Sequence, residues 1–304
     1  MLFLVAGVSV NQPKLCPNAT WNPVAVTFAS NDTVGKEPQT IFVDTSNTVY
    51  TANYQNGIVK VWHGGSAIPT GNIMTNYTNS RSLVVSITED IFIDNGSPNY
   101  DVALWRENAA SSFSTLSIGD GCYSLFLAGN DSLYCSISYS HRVVKRSLNS
   151  SDFQVKTVAG TGCAGFEPHR LYYQRGIFVT INSDLYVADS NNHRVQLFPE
   201  GQLNGTTVAG REALGTVQLL NPTAVMLDAD GYLFILDCYH YRIVGAGPYG
   251  YRCVVGCTGG TGSAPNQLSA SRSMAFDSYG NIFVVDTYND RVQKFFLSSN
   301  TCSK

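Results

Sequence analysis

The stretch LYVADSNNHRVQLF (185–198) sets His193 four residues after Asp189 and directly before Arg194. A histidine near a carboxylate is the usual makings of a general base or a metal ligand. Four other histidines could join it: His63, His141, His169 and His240. The chain also has eight cysteines, at 16, 122, 135, 163, 238, 253, 257 and 302. Cys253 and Cys257 have roughly a ligand-like gap, but no second pair completes a tetrahedral site. Two glycine-rich runs, GTGCAG (160–165) and GCTGGTG (256–262), could suggest phosphate loops. A phosphate cradle needs a strand before it and a helix after it, and no helical periodicity follows either run. They read as flexible connections. No cofactor or metal is implied.

The His193 stretch is not unique. LYCSISYSHRVVKR (133–146), LFILDCYHYRIVGA (233–246) and IFVVDTYNDRVQKF (282–295) repeat it, with degraded copies VYTANYQNGIVKVW (49–62) and IFIDNGSPNYDVALW (91–105). The anchors Tyr50, Phe92, Tyr134, Tyr186, Phe234 and Phe283 are spaced by 42, 42, 52, 48 and 49 residues. A period in the forties marks a propeller or array. Each unit has a strand before the anchor (QTIFVDTSN, RSLVVSITED, YSLFLAGND, RGIFVTINS, TAVMLDADG, RSMAFDSYG), a tight polar turn, the anchor strand, a polar loop and a third strand. Most units add a fourth, such as KTVAG or TTVAG. Four antiparallel strands per unit make a propeller blade, so the fold class is all-β, a six-bladed propeller. No helix is expected.

The sixth unit runs out after its third strand, while NPVAVTFAS (22–30) belongs to no other unit. That N-terminal strand is expected to complete the last blade and leave no open sheet edge. Residues 22–302 then form one propeller, preceded by a segment 1–21 whose stretch 2–10 has the length of a signal-peptide core, an ordinary strand being the alternative. Cys16 and Cys302 would lie just outside the joined strands, and a disulfide there would contribute roughly 5 kcal/mol in the chain-entropy model. Cys253–Cys257 is read as a local disulfide and Cys122–Cys135 as a bridge across the third blade. Cys163 and Cys238 are left over, free or paired.

The motif DSNNHRVQLF, with DCYHYRIV and DTYNDRVQKF, resembles the NHL repeat from about residue 22 to 302; the first two blades diverge. The resemblance implies a propeller of usually six blades. It does not fix a function, because NHL propellers serve as recognition arms of ubiquitin ligases, binding RNA or protein, and as sensor domains. A related propeller, the peptidyl-hydroxyglycine lyase, holds zinc in its channel by histidines from separate blades. Here no histidine falls on an innermost strand, so a three-histidine zinc site is not expected. In the repeat register His193 aligns with His141, Tyr241, Asp290 and Gly57, a variety that a catalytic role would not tolerate. The recurring pairs Asp189/Arg194, Asp237/Arg242 and Asp286/Arg291 read as scaffold: the carboxylate accepts loop N–H groups and pairs the guanidinium.

The expected function is a non-enzymatic binding module with a protein, peptide or glycan ligand on the loop face; the alternatives that the resemblance implies are a substrate-recognition module of a ubiquitin-ligase-like system and a propeller enzyme like the peptidyl-hydroxyglycine lyase. Tyr139, Tyr239 and Tyr288 share one loop position, Asn191 takes it in the fourth blade, and Tyr54 lies one residue off. Tyrosine supplies contact area and a hydroxyl at low entropic cost. Nucleic acid is disfavoured: net charge is −3, there is no Lys/Arg run, and Arg142, Arg194, Arg242 and Arg291 have repeat acids to pair with. The cysteines, seven Asn-x-Ser/Thr sequons (Asn18, Asn31, Asn76, Asn95, Asn130, Asn149, Asn204) and the uncharged LFLVAGVSV (2–10) point to a secreted, glycosylated, monomeric ring. That nine-residue stretch is far too short to span a bilayer; a cytoplasmic setting is the alternative.

Overall fold

The computed structural model describes residues 9–75, 77–96, 100–106, 113–129, 131–149, 154–213, 215–258 and 260–302. Most of the 2–10 stretch and the sequons Asn76 and Asn130 lie outside these. Six four-stranded antiparallel sheets form the blades of a propeller. From channel to rim, blade 1 runs 38–43, 49–53, 58–62 and 71–74, and blade 2 runs 83–85, 91–94, 102–105 and 113–116. Blade 3 is 124–128, 132–137, 142–147 and 155–159, and blade 4 is 177–179, 185–189, 194–198 and 206–210. Blade 5 is 222–227, 233–237, 242–247 and 250–255. Blade 6 takes 273–276, 282–286 and 291–295 from the C-terminal end, and its rim strand, Val26–Ala29, from the N-terminal end.

The anchors explain the shared register. Each stands opposite an apolar residue of its inner strand: Phe42↔Tyr50, Val84↔Phe92, Phe126↔Tyr134, Phe178↔Tyr186, Met226↔Phe234 and Ala275↔Phe283. Second strands are buried on both faces because each sheet is packed between two others, so they read as unbroken apolar runs rather than alternation. The polar hairpin tips are closed by their own side chains. Asp44 Oδ1 accepts from the N–H groups of Ser46 and Thr48, and Asp228 and Asp277 repeat the pattern.

The loop after the second strand is a single 3-10 turn in blades 3 to 6, ended by His141, His193, Tyr241 and Asp290, all left-handed. Gly57 holds positive φ in blade 1. The position is defined by backbone conformation, which accounts for its variety of side chains. The glycine ending the fourth strand meets this turn. A Cβ on Gly210 (φ +88) would come 2.3 Å from the carbonyl oxygen of His193, so the close approach excludes any side chain.

The chain ends are clasped beyond the closing strand. Thr20–Trp21 pairs with Leu297–Ser299, Trp21 Nε1 donates to the Gly280 carbonyl at 2.8 Å, and Cys16 is disulfide-bonded to Cys302 across 286 residues. Cys122–Cys135 and Cys253–Cys257 are also formed, while Cys163 and Cys238 are free. Three disulfides point to an oxidising compartment. Of the described sequons, Asn18, Asn31, Asn149 and Asn204 are exposed, and Asn95 is buried, accepting from the Asp101 N–H. None of the helices among the described residues is long and apolar enough to cross a membrane.

Two features depart from the sequence reading. One helical turn, Asn31–Val34, carries the chain from the rim of blade 6 to the centre of blade 1. At four residues it is too short to show periodicity. The segment Ser9–Gln12 crosses the lower end of the channel. Ser9 Oγ donates to Val85 O; Asn11 Nδ2 donates to the carbonyls of Val43, Asp44 and Phe276; Gln12 Nε2 donates to those of Leu227 and Asp228. Four blades are thus tied together from below, and Val10 packs against two of the core clusters.

Replacing Cys16 and Cys302 together with serine is expected to lower the free energy of unfolding by roughly 3–5 kcal/mol, because the unfolded chain loses a nearly full-length loop. Urea denaturation under non-reducing conditions measures it. A loss below about 1 kcal/mol would mean that strand pairing alone closes the ring.

Candidate functional site

The repeat loops are built around buried carboxylates. Asp189 Oδ2 accepts from Arg194 Nε at 2.8 Å and Asn192 Nδ2 at 2.8 Å, and its Oδ1 accepts from the Tyr172 N–H at 2.7 Å. Asp286 does the same with Arg291, Asn289 and the Ser269 N–H; Asp237 does so with Arg242, His240 and the Leu220 N–H. Burial still pushes the Asp189 carboxyl above its usual range, against the pull of these donors. The three carboxylates tie each turn to the chain segment entering its own blade.

The first three blades break the pattern. Blade 2 keeps the carboxylate, Asp94, but Val102 stands opposite in place of the arginine. Burial raises the Asp94 carboxyl to about 6, offset in part by the Cys122 and Arg81 N–H groups that it accepts. Blade 3 keeps the arginine, Arg142, opposite Ile137. Blade 1 has neutral Asn53, whose Oδ1 accepts from the Gln55 and Asn56 N–H groups.

At the loop face the channel opens into a cup of about 440 Å³. Its lining combines Tyr54, Tyr123, Tyr139 and Tyr173 with Arg81, Arg175 and Arg272, and with Glu37, Gln39, Ser138 and Asn191. Below lie a throat of about 50 Å³ and a cavity of about 100 Å³ bordered by Ser9 and Val10. The Ser9–Gln12 segment crosses the channel beneath them. Tyr123 is its hub: the Arg81 and Arg175 guanidinium carbons lie 5.3 and 5.1 Å from its ring centre, and Arg272 Nη1 donates to its hydroxyl at 2.8 Å. Arg81 also faces Tyr54 and Tyr139, at 6.0 and 5.6 Å.

Only part of the expected tyrosine set meets here. Tyr54, Tyr139 and Asn191 line the cup. Tyr239 lines a separate hollow with His240, Arg242, Cys253 and Cys257, and Tyr288 borders neither. Arg81 and Tyr173 hold Tyr139 over the mouth, the rings of Tyr139 and Tyr173 meeting edge-on at 5.7 Å. Among the described residues nothing comparable draws Tyr239 or Tyr288 inward. The sequence reading missed the arginines and Tyr123. Their signal is positional: Gln39, Arg81, Tyr123, Arg175, Thr223 and Arg272 each stand three residues before the inner-strand partner of an anchor, so the six aligned strands bring them to one level.

The histidines are held locally. His193 Nδ1 accepts from the Asn221 N–H at 3.1 Å and His141 Nδ1 from the Tyr173 N–H at 3.2 Å. His240 Nδ1 lies 2.7 Å from Asp237 Oδ2, His63 is exposed and His169 is partly buried. No cluster of three His, Cys, Asp or Glu side chains suited to a metal occurs among the described residues. Burial raises the Cys238 thiol to about 11, which leaves it un-ionised and unreactive at neutral pH.

No family model matches the chain, and no curated protein matches it by sequence. Solved structures do. A structural genomics protein of unknown function from Bacteroides thetaiotaomicron is similar with a TM-score of 0.71 at 13% identity, covering 90% of this chain and 75% of that one. An auxiliary nutrient binding protein from Bacteroides ovatus gives 0.66 at 12%, covering 97% and 77%. A streptogramin B lyase gives 0.60 at 7%, covering 98% and 96%. At these identities the likeness is one of fold.

Asp189→Ala is expected to cost roughly 3–5 kcal/mol, because it strands a buried guanidinium. Asp90→Ala, whose partner Arg106 is half exposed, should cost under about 1 kcal/mol. Chemical denaturation of both variants checks the contrast. Asp94 gives a pH signature. Its folded carboxyl is raised, so the folded state keeps a proton that the unfolded state has lost, and stability falls as pH rises from about 4 to about 6. Asp94→Asn should flatten that part of the stability–pH curve by up to about 1.4 kcal/mol per pH unit. Parallel curves for the two proteins would contradict the assignment.

Proposed function

We propose that this protein is a non-catalytic ligand-binding module, an NHL-type propeller outside the cell, that takes a protein, peptide or glycan ligand at the channel mouth. The observation that carries this reading is the cup at the channel mouth walled by Tyr54, Tyr139 and Tyr173. Rigid aromatic walls around a preformed hollow bind with little ordering cost. The three disulfides support an extracellular setting. The similarity to a nutrient-binding propeller is consistent with the binding role, at the level of fold.

Screening the purified protein against peptide and glycan arrays tests the reading. For any ligand found, Tyr139→Ala should weaken binding about tenfold or more, the scale of a lost aromatic anchor. Tyr288→Ala should leave it within about twofold. Equal affinity in wild type and Tyr139→Ala would place the ligand elsewhere on the ring.

A further inference from the structure

The cup holds three guanidinium groups and very little to neutralise them. Among the described residues, no carboxylate lies within ion-pair distance of Arg81, Arg175 or Arg272. Among the described residues, Glu37 is the only acid in the lining. The repeat arginines Arg194, Arg242 and Arg291, by contrast, are each paired with an aspartate. Arg81 and Arg175 flank one tyrosine ring at 5.3 and 5.1 Å, so they lie roughly within one Debye length of each other. Arg272 reaches the same residue. The Arg175 guanidinium makes no hydrogen bond to a described residue. Bringing three like charges to one throat costs folding energy, and an anion held among them would offset that cost.

The remaining lining narrows the ligand. Among the described residues it contains no aliphatic side chain: the walls are tyrosines, and the other groups are Gln39, Ser138, Asn191 and Glu37. An apolar peptide side chain would find no matching pocket. The C–H face of a sugar ring suits the flat tyrosine faces, and its hydroxyls suit the amides. Guanidinium suits a planar carboxylate bidentately and binds sulfate by the same charge-assisted bonds.

We infer that the mouth takes an acidic saccharide, whose carboxylate or sulfate group is held in the throat by Arg81, Arg175 and Arg272 while its ring packs between Tyr54, Tyr139 and Tyr173. This rests on the loop-face binding reading and adds the ligand's class to it. The collar also makes the mouth locally cationic on a chain of net charge −3, which would steer an anion to it.

Calorimetry with three matched probes tests the inference: a tetrasaccharide containing glucuronic acid, the same tetrasaccharide with its carboxyls reduced to alcohols, and a sulfate ester of the reduced form. The acid form, the sulfate ester or both should bind one per chain, at least about tenfold tighter than the reduced form, and more weakly as salt rises. Which of the two binds identifies the oxyanion. Arg175→Gln should weaken that binding about tenfold while melting at or above the wild-type temperature, since it relieves like-charge repulsion; Arg81→Gln should also weaken binding about tenfold, with some loss of melting temperature because Arg81 stacks on Tyr54, Tyr123 and Tyr139. The wild-type comparison of acid and reduced forms decides by itself if a variant folds poorly. Equal binding of the two forms overturns the oxyanion and leaves the loop-face reading standing. Binding of an acidic peptide, lost in Tyr139→Ala, with no saccharide bound, overturns the saccharide class alone. Absence of any ligand at the mouth removes both readings.

Discussion

Everything in this molecule depends on closing the ring. Each blade buries its two faces against its neighbours, so no blade has a core of its own. One apolar cluster spans blades 1 to 3, the next spans blades 3 to 5, and two more carry the core through blade 6 and back to blade 1. The chain supplies blade 6 from both ends, so its first and last parts must meet before that core exists. The Val26–Ala29 strand, the Thr20–Trp21 clasp and the Cys16–Cys302 bond act at this one joint. Ser9–Gln12 adds a tie from below, reaching blades whose inner strands would otherwise face an open channel.

Closure makes the blades equivalent in geometry, and the sequence then makes them unequal in chemistry. Blades 4 to 6 keep the Asp–Arg pair that fixes each turn. Blade 2 keeps the acid without the base, blade 3 the base without the acid, and blade 1 neither. The first four blades also supply most of the cup: Tyr54 from blade 1, Arg81 leading into blade 2, Tyr123 and Tyr139 from blade 3, and Tyr173 and Arg175 leading into blade 4. Arg142 shows a cost on this side, since its Nε is buried without a hydrogen-bond partner. The three most regular blades do most of the holding, and the divergent side carries the unusual residues.

The divergence also explains the behaviour of the left-handed turn. Because that position is selected for backbone conformation, His141, His193, Tyr241 and Asp290 are interchangeable there, and their side chains serve whatever lies beside them. His141 and His193 accept an N–H from the segment leading into the next blade. A histidine that looks catalytic in an isolated stretch is here a backbone device with a ring attached.

The blade count, strand order, closing strand and disulfide partners were legible in the sequence because they follow from period, from the order of strands and turns within each unit and from what is left over at the two ends. The Asp–Arg pairs were legible for the same reason: repetition exposes a role that one copy would hide. The candidate site was only half legible. The loop position of Tyr139 and Asn191 could be read from the repeat, but whether a side chain leans over the mouth depends on what its neighbouring blades present, and Arg81 and Tyr173 are distant in sequence from Tyr139. The arginine collar was written in the aligned inner strands, one residue per blade. It becomes a site only when closure brings six residues, spread over more than two hundred positions, to one rim. The tie formed by Ser9–Gln12 had no local signal, because its partners are main-chain carbonyls of four blades, groups that every residue carries and that only the tertiary structure gathers around the channel.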